Sequence, residues 1–364
     1  MDRDQHYMKM AVEMAKGTVG QTTPNPSVAA IVVKDNQVAG LGVHVKAGEP
    51  HAEVHALKMA GEKAHGADIY VTLEPCSHFG QTPPCAQAVI EAGIKRAIIA
   101  SHDPNPKVSG RGIQMMEAAG IEVKTAVLRE EADQLNRAFF HFIQTKLPYV
   151  RLKSAISMDG KIATSTGESQ WITGKEARAD GHRYRHQSAA ILVGINTVMM
   201  DNPKLTTRIE GGGRHPVRIV LDTHLRMPQS AQLVQDPTAP TWIFTGIKAD
   251  TAQRTALESY AHVQVIPLDT REVEVEAVLQ YLGEKKITSL LIEGGATVAD
   301  AFVRAGHVNE VITYMAPKLI GGKEALTSVA GKGISQLKNV DQFEFVSSER
   351  VGEDLKIISV KKEG

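Results

Sequence analysis

His51-Ala52-Glu53, Pro75-Cys76 and Cys85 supply the residue types of a catalytic zinc centre, and the two cysteines are the only ones in the chain. One histidine and two cysteines are the three protein ligands such a zinc uses, with a fourth position left to water. Glu53, two residues after the histidine, is placed to carry protons at that water rather than to bind metal. Zinc lowers the pKa of a bound water from 15.7 to roughly 7, so hydroxide forms at neutral pH. A ring carbon bearing NH2 can accept that hydroxide and release ammonia once the amine is protonated. The chemistry expected is hydrolytic deamination of an amino-substituted heterocycle, with one zinc per chain and Glu53 making both proton transfers.

His-x-Glu with a later Pro-Cys-x-x-Cys is the pattern of zinc-dependent deaminases. Here the first half is intact and the gap between cysteines is longer. Two plainer readings compete. A structural zinc closes its site with a fourth protein ligand, for which His44, His55 and His78 are available. Alternatively, the cysteines bind nothing and are simply buried. The placement of Glu53 and the strand exit Leu73-Glu74-Pro75-Cys76 favour catalysis. Thr23-Pro24-Asn25-Pro26 and Asp103-Pro104-Asn105-Pro106 are stiff turns whose asparagines can hydrogen-bond a heterocycle, and turn chemistry alone explains them equally well. Residues 77–82, His78 among them, must line the site if the zinc is there. His44, at a strand end, reads more readily as structural.

Alternating helices and strands position these groups. A helix around residues 7–14 ends at Gly17, strands 28–33 and 38–43 make a hairpin about Asp35-Asn36, and a helix runs from about His51 to His65. Strand 69–73 delivers Cys76, and a helix after Pro83-Pro84 carries Cys85 in its first turn. Strand 97–100, helix 112–119, strand 121–125 and one longer helix over 130–142 follow. Lys146-Leu147-Pro148 marks a boundary. Beyond it come strands at 149–156, 190–194, 217–221, 241–244, 263–266, 290–293 and 311–314, with helices near 175–186, 273–282 and 298–305. Residues 343–351 and 355–360 read as a terminal hairpin. The fold class is α/β, in two domains of residues 1–146 and 147–364.

Composition narrows the partners. With 41 basic and 41 acidic residues the formal net charge is zero, unlike a polyanion-binding surface. The N-terminus lacks the apolar core of a signal peptide, and no apolar run approaches membrane-spanning length. A small-molecule enzyme of the cytoplasm is expected, with no nucleic-acid or membrane partner.

Residues 25–112 resemble the deaminase half of the bifunctional riboflavin-biosynthesis deaminase–reductases. The resemblance rests on Thr23-Pro24-Asn25-Pro26, Gly48-Glu49-Pro50-His51-Ala52-Glu53, Thr72-Leu73-Glu74-Pro75-Cys76-Ser77-His78, Pro83-Pro84-Cys85 and Asp103-Pro104-Asn105-Pro106. The long cysteine spacing is the one this family uses. It extends through Ser157-Met158-Asp159-Gly160-Lys161, Ser169-Gln170-Trp171, Asp201-Asn202-Pro203-Lys204-Leu205-Thr206, Glu293-Gly294-Gly295 and Pro317-Lys318-Leu319-Ile320-Gly321-Gly322.

That resemblance implies a cytidine-deaminase-like zinc domain followed by a dihydrofolate-reductase-like domain, and a homo-oligomer. The implied reaction deaminates a diaminopyrimidinone ribosyl phosphate, then reduces its ribose to a ribityl chain with NADPH. Asn25, His44, His78, Asp103 and Asn105 would contact substrate in the first half. In the second, Ser169, Arg185, Leu205, Arg208 and Glu293 would do so, with Arg185 and Arg208 as phosphate clamps. The implied cofactor contacts are Trp171, Thr197, Asp201, Gly295, Ala296, Thr297, Val298, Ala299, Asp300 and Ala301. Lys153 and Asp201 are the candidates for polarising the sugar and relaying a proton. Two positions depart from the family: Ala29 replaces a common glycine, and Gln81 a basic residue, which implies weaker substrate affinity.

Read without the family, the second half lacks Gly-x-Gly-x-x-Gly after a strand, so a Rossmann domain is not supported. Residues 290–297 do run from a strand through a glycine pair into a helix. Backbone N–H groups at such a helix start can hold a pyrophosphate. A nucleoside or nucleic-acid deaminase with an unrelated appendage would explain only the first half.

Overall fold

Asp2 opens the first helix, α1 (Arg3–Lys16), in a reciprocal capping box with Gln5. Its stripe Tyr7, Met8, Ala11, Val12 and Ala15 is buried and packs on one face of a five-stranded sheet. In this computed structural model residues 1–77, 83–105 and 109–362 are described, and the chain divides into Met1–Lys146 and Leu147–Gly364. The first unit continues with β1 (Ala29–Lys34), β2 (Gln37–Val43), α2 (Ala52–Ala60), β3 (Asp68–Leu73), α3 (Cys85–Glu91), β4 (Arg96–Ser101), α4 (Arg111–Ala118), β5 (Glu122–Lys124), α5 (Arg129–Leu135) and α6 (Arg137–Thr145). The sheet order is β2-β1-β3-β4-β5. β1 is antiparallel to both neighbours, whereas β3, β4 and β5 are parallel.

Alternation along β1 splits the core in two. Ala30 and Val32 face α2, α3 and α4, while Ala29, Ile31 and Val33 face α1 and α5. Helix α2 lies unusually close to β2. A Cβ on Gly42 would come 2.0 Å from the Ala52 carbonyl oxygen, and one on Gly40 2.1 Å from that of Ala56. Bare glycines facing the alanines of α2 thus set the depth of the helix whose start carries His51 and Glu53. Gly42→Ala should push that helix outward at a cost of about 1–3 kcal/mol. The expected readout is a lower unfolding midpoint together with less bound zinc per chain; unchanged zinc would dissociate this packing from the site.

The structure departs from the expected elements at several points. The helix expected over 51–65 ends at Ala60, and Gly61 (φ 55°) turns the chain into a 3-10 segment, Gly61–Ala64. His51 precedes the helix as its N-cap residue. The single helix expected over 130–142 is two, α5 and α6, broken at Asn136. The side chain of Asn136 is buried and pairs with both backbone groups of Ser27, accepting from its N–H at 2.9 Å and donating to its carbonyl at 3.0 Å. That pairing holds the turn containing Asn25.

The second unit comprises β6 (Tyr149–Ser157), α7 (Lys175–Gln187), β7 (Ala190–Gly194), α8 (Ile195–Asp201), β8 (Val217–Leu221), α9 (Gln232–Gln235), β9 (Thr241–Thr245), α10 (Thr251–Glu258), β10 (Val263–Pro267), α11 (Val275–Glu284), β11 (Ser289–Ile292), α12 (Ala296–Arg304), β12 (Glu310–Ala316), β13 (Phe343–Val351) and β14 (Asp354–Lys361). Helices α8, α9 and α10 were not anticipated from sequence. The sheet order is β10-β9-β8-β7-β11-β6-β12-β14-β13. It is parallel from β10 through β12 and closes with the antiparallel pairs β12–β14 and β13–β14. Burial on both faces matches the continuous apolar strands Ala190–Gly194 and Ser289–Ile292. Among the described residues no helix is long and apolar enough to cross a membrane.

Candidate active sites

Three neighbouring elements deliver the zinc-type residues. His51 precedes α2, Cys76 follows the end of β3, and Cys85 is the first residue of α3. His51 Nδ1 lies 3.3 Å from Cys85 Sγ and 3.7 Å from Cys76 Sγ. All three donor atoms fall within 4.8 Å of one another, and no fourth residue joins them among the described residues. His44 only touches the His51 ring edge-on, with centroids 5.3 Å apart. One nitrogen and two sulfurs with no fourth protein donor are the set a catalytic zinc takes. His78 and Gln81 lie outside the described residues.

The electrostatics suit metal capture. Hydrogen bonds from Cys85, and then from His51, hold the Cys76 thiol well below its ordinary range, which favours the thiolate. The backbone N–H of Cys85, at the start of α3, also points at Cys76 Sγ at 3.3 Å. Beside that anion, and buried, the Cys85 thiol is pushed up. Glu53 is buried, and burial raises its carboxyl to about 7. A group poised there can both take and give a proton near neutrality.

A cavity of about 240 Å³ opens beside the ligands and is lined by Asn25, His44, Glu53, Asp103, Asn105 and Phe139, among others. The geometry fixes one tautomer. His44 Nδ1 is 3.2 Å from the Pro50 carbonyl, which can only accept, so Nδ1 carries the proton. His44 Nε2 therefore accepts from Asn25 Nδ2 at 3.1 Å, and Asn25 Oδ1 is left as an acceptor for a ligand. Burial and then the neighbouring His51 lower the His44 pKa, which keeps that ring neutral. Phe139 and Glu74 line this cavity too, although nothing in their sequence context gave either a role. Glu74 had one available sign, its place in front of Pro75-Cys76.

In the second unit the polar residues gather around Glu293, just past β11. Arg185 Nε and Nη2 donate to its two oxygens at 2.9 and 2.8 Å, and Lys153 Nζ is 3.9 Å away. Burial works to raise this carboxyl, but Arg185 and Lys153 outweigh it and hold the pKa at about 2. Glu293 is therefore an acceptor and not an acid.

Arg185 is partly committed within the protein. Three of its five guanidinium N–H groups are engaged there, two on Glu293 and the third on the Thr206 carbonyl, which leaves two for the expected phosphate contact. Arg208, on the same side of the cluster, makes no ion pair among the described residues. Leu205 is buried in the core with φ 52°, so it presents backbone rather than side chain. Asp201 ends α8 and forms no ion pair with Lys153. His182, unnoticed in sequence, accepts the Arg208 N–H at Nδ1, while burial, Arg185 and Arg208 push its pKa down to about 4.

The ends of β7 and β11 form a narrow cradle. A Cβ on Gly294 (φ 109°) would sit 3.3 Å from Thr197, and one on Gly295 (φ 88°) 3.3 Å from Val298. Helix α12 has no side-chain cap among the described residues, and an uncapped helix start is a place where backbone N–H groups can meet a phosphate. Ala299 and Asp300 point inward, Asp300 pairing with Arg304 at 2.7 Å. Trp171 is 62% exposed and stacks under Arg178. Ser169 is half-buried in the same segment.

Residues 148–357 match the family model for the RibD C-terminal domain, and residues 1–101 match the cytidine and deoxycytidylate deaminase zinc-binding region. A riboflavin biosynthesis protein RibD from Bacillus amyloliquefaciens is 48% identical, over 99% of this chain and 97% of its own length. The chain belongs to the RibD family. Two solved structures share its fold throughout. RibD of Acinetobacter baumannii matches with a TM-score of 0.88 and 38% identity over 99% of each chain. A diaminohydroxyphosphoribosylaminopyrimidine deaminase/5-amino-6-(5-phosphoribosylamino)uracil reductase from Thermotoga maritima matches with a TM-score of 0.88 and 36% identity, also over 99% of each. As a member of this family the chain is a two-activity enzyme of riboflavin biosynthesis, with a cytidine-deaminase-like first domain and a RibD reductase domain of dihydrofolate-reductase-like fold.

Proposed function

We propose that residues 1–146 deaminate a diaminopyrimidinone ribosyl phosphate and that residues 147–364 reduce its ribose to a ribityl chain with NADPH. The observation that carries the first step is the three-donor cluster His51, Cys76 and Cys85, beside a buried Glu53 in a cavity. Zinc held by those donors would make a water nucleophilic at neutral pH. Glu53, buried beside that position, would hold the proton that passes from the attacking water to the leaving amine, ammonia departing as the ring carbon gains oxygen. Asn25 Oδ1, fixed by His44, accepts a hydrogen bond from a ring N–H or amino group, and Asp103 and Asn105 face the same space.

For the second step, NADPH supplies hydride to the open-chain form of the sugar. The N–H groups at the start of α12 beside Gly294 and Gly295 suit its pyrophosphate. Lys153 polarises the sugar oxygen and Asp201 relays the proton, its carboxyl raised by partial burial. Arg208 would meet the substrate phosphate, while Glu293 accepts from substrate N–H or O–H groups. The enzyme works in the cytoplasm as a homo-oligomer.

Purified protein given the substrate should release ammonia with or without NADPH, and should oxidise NADPH only after deamination. Ammonia release with no NADPH oxidation would sink the reductase assignment. No ammonia from zinc-replete protein would sink the first.

A further inference from the structure

Glu74 is a fully buried carboxylate with no lysine or arginine partner among the described residues. It stands one residue past β3 and two before Cys76. Its ligands are backbone amides from both sides of one loop. Oε2 accepts from Gly110 N–H at 3.0 Å and from Asp103 N–H at 3.4 Å, and Oε1 accepts from Gly112 N–H at 3.2 Å. His102 Nδ1 lies 3.5 Å from Oε2. The fit of the loop is tight, because a Cβ on Gly112 would fall 2.1 Å from the Pro75 carbonyl oxygen. Orientation then passes along the chain: Asp103 Oδ1 accepts from Asn105 N–H at 2.8 Å, and Asp103 and Asn105 both line the cavity.

We propose that Glu74 is a positioning residue for deamination, tying residues 102–105 to residues 110–112 so that Asp103 and Asn105 meet the substrate in register. This rests on the deaminase reading above. The carboxylate itself faces amide donors, so it bonds no substrate and moves no proton. Its two oxygens supply acceptors only, which is what convergent N–H groups require. A glutamine would turn an NH2 group against one set of those donors and release part of the loop.

The test measures deamination kinetics, zinc content and reduction of supplied deaminated intermediate in the parent and in Glu74→Gln. The expected result is a rise in deamination KM of about tenfold or more with kcat little changed, as lost charged hydrogen bonds would give. Zinc content and reduction should match the parent. Combining Glu74→Gln with Asp103→Ala should raise KM no further than Asp103→Ala alone, because both act through one loop. Glu74→Asp, which keeps the charge but shortens the reach, should fall between parent and Glu74→Gln. Unchanged KM, full additivity with Asp103→Ala, or zinc loss in both Glu74 variants would each overturn the proposal. A parent that releases no ammonia would instead defeat the deaminase reading.

Discussion

Glu53→Gln should slow deamination by about 10³-fold, within the range for loss of a positioned acid–base group. The side chain is 3% exposed, so no bulk water can stand in for it at that spot. Glutamine preserves its shape and hydrogen-bonding reach but cannot carry a proton between the incoming water and the leaving amine. Zinc content should stay at the parent level, since Glu53 is not among the three donor atoms. Reduction of supplied deaminated intermediate should also be unaffected. Ammonia release measured against metal content decides the matter, and near-parental turnover would hand the proton to another group, with Asp103 the first to examine.

The second large effect is expected at Glu293. Replacing it with glutamine leaves Arg185, whose side chain is 17% exposed, and Lys153 facing each other without a counter-charge. Removing one partner of such a buried pair costs about 3–5 kcal/mol. Both tryptophans, Trp171 and Trp242, belong to the second unit, so their fluorescence during denaturation reports it specifically. The pH dependence has a definite sign. The carboxyl is depressed from 4.5 to about 2 in the folded protein, so its contribution is complete above pH 4.5 and fades as pH falls towards 2. The parent should lose that increment on acidification, while Glu293→Gln should not. Equal stability of the two proteins at neutral pH would mean the pair contributes nothing net.

The zinc residues were legible in sequence because they sit in a short stretch whose local elements aim them. A strand exit and two helix starts suffice to bring His51, Cys76 and Cys85 together. The break at Asn136 was not legible. Apolar spacing continues straight through 130–142, and the reason to leave the helix is a partner 109 residues away. Arg185 shows the same blindness, since only the folded sheet reveals that Glu293, 108 residues on, occupies its fork. Helix α8 follows β7 without a loop, leaving no turn residues to announce it. Helix α10 does carry a local sign, because the Asp250 side chain caps the Gln253 N–H. Glu74 lay in plain view beside the cysteine motif, yet a carboxylate that serves backbone amides leaves no spacing rule behind.

The chain's only two thiols lie within 4.8 Å of one another, and the surroundings of Cys76 favour its thiolate form. Metals and oxidants both seek that form of sulfur, so supply of zinc and exposure to peroxide compete for the same atoms. The second unit contains no cysteine at all. Oxidation of thiols in this chain is therefore confined to the first unit, at two donors of its candidate metal site.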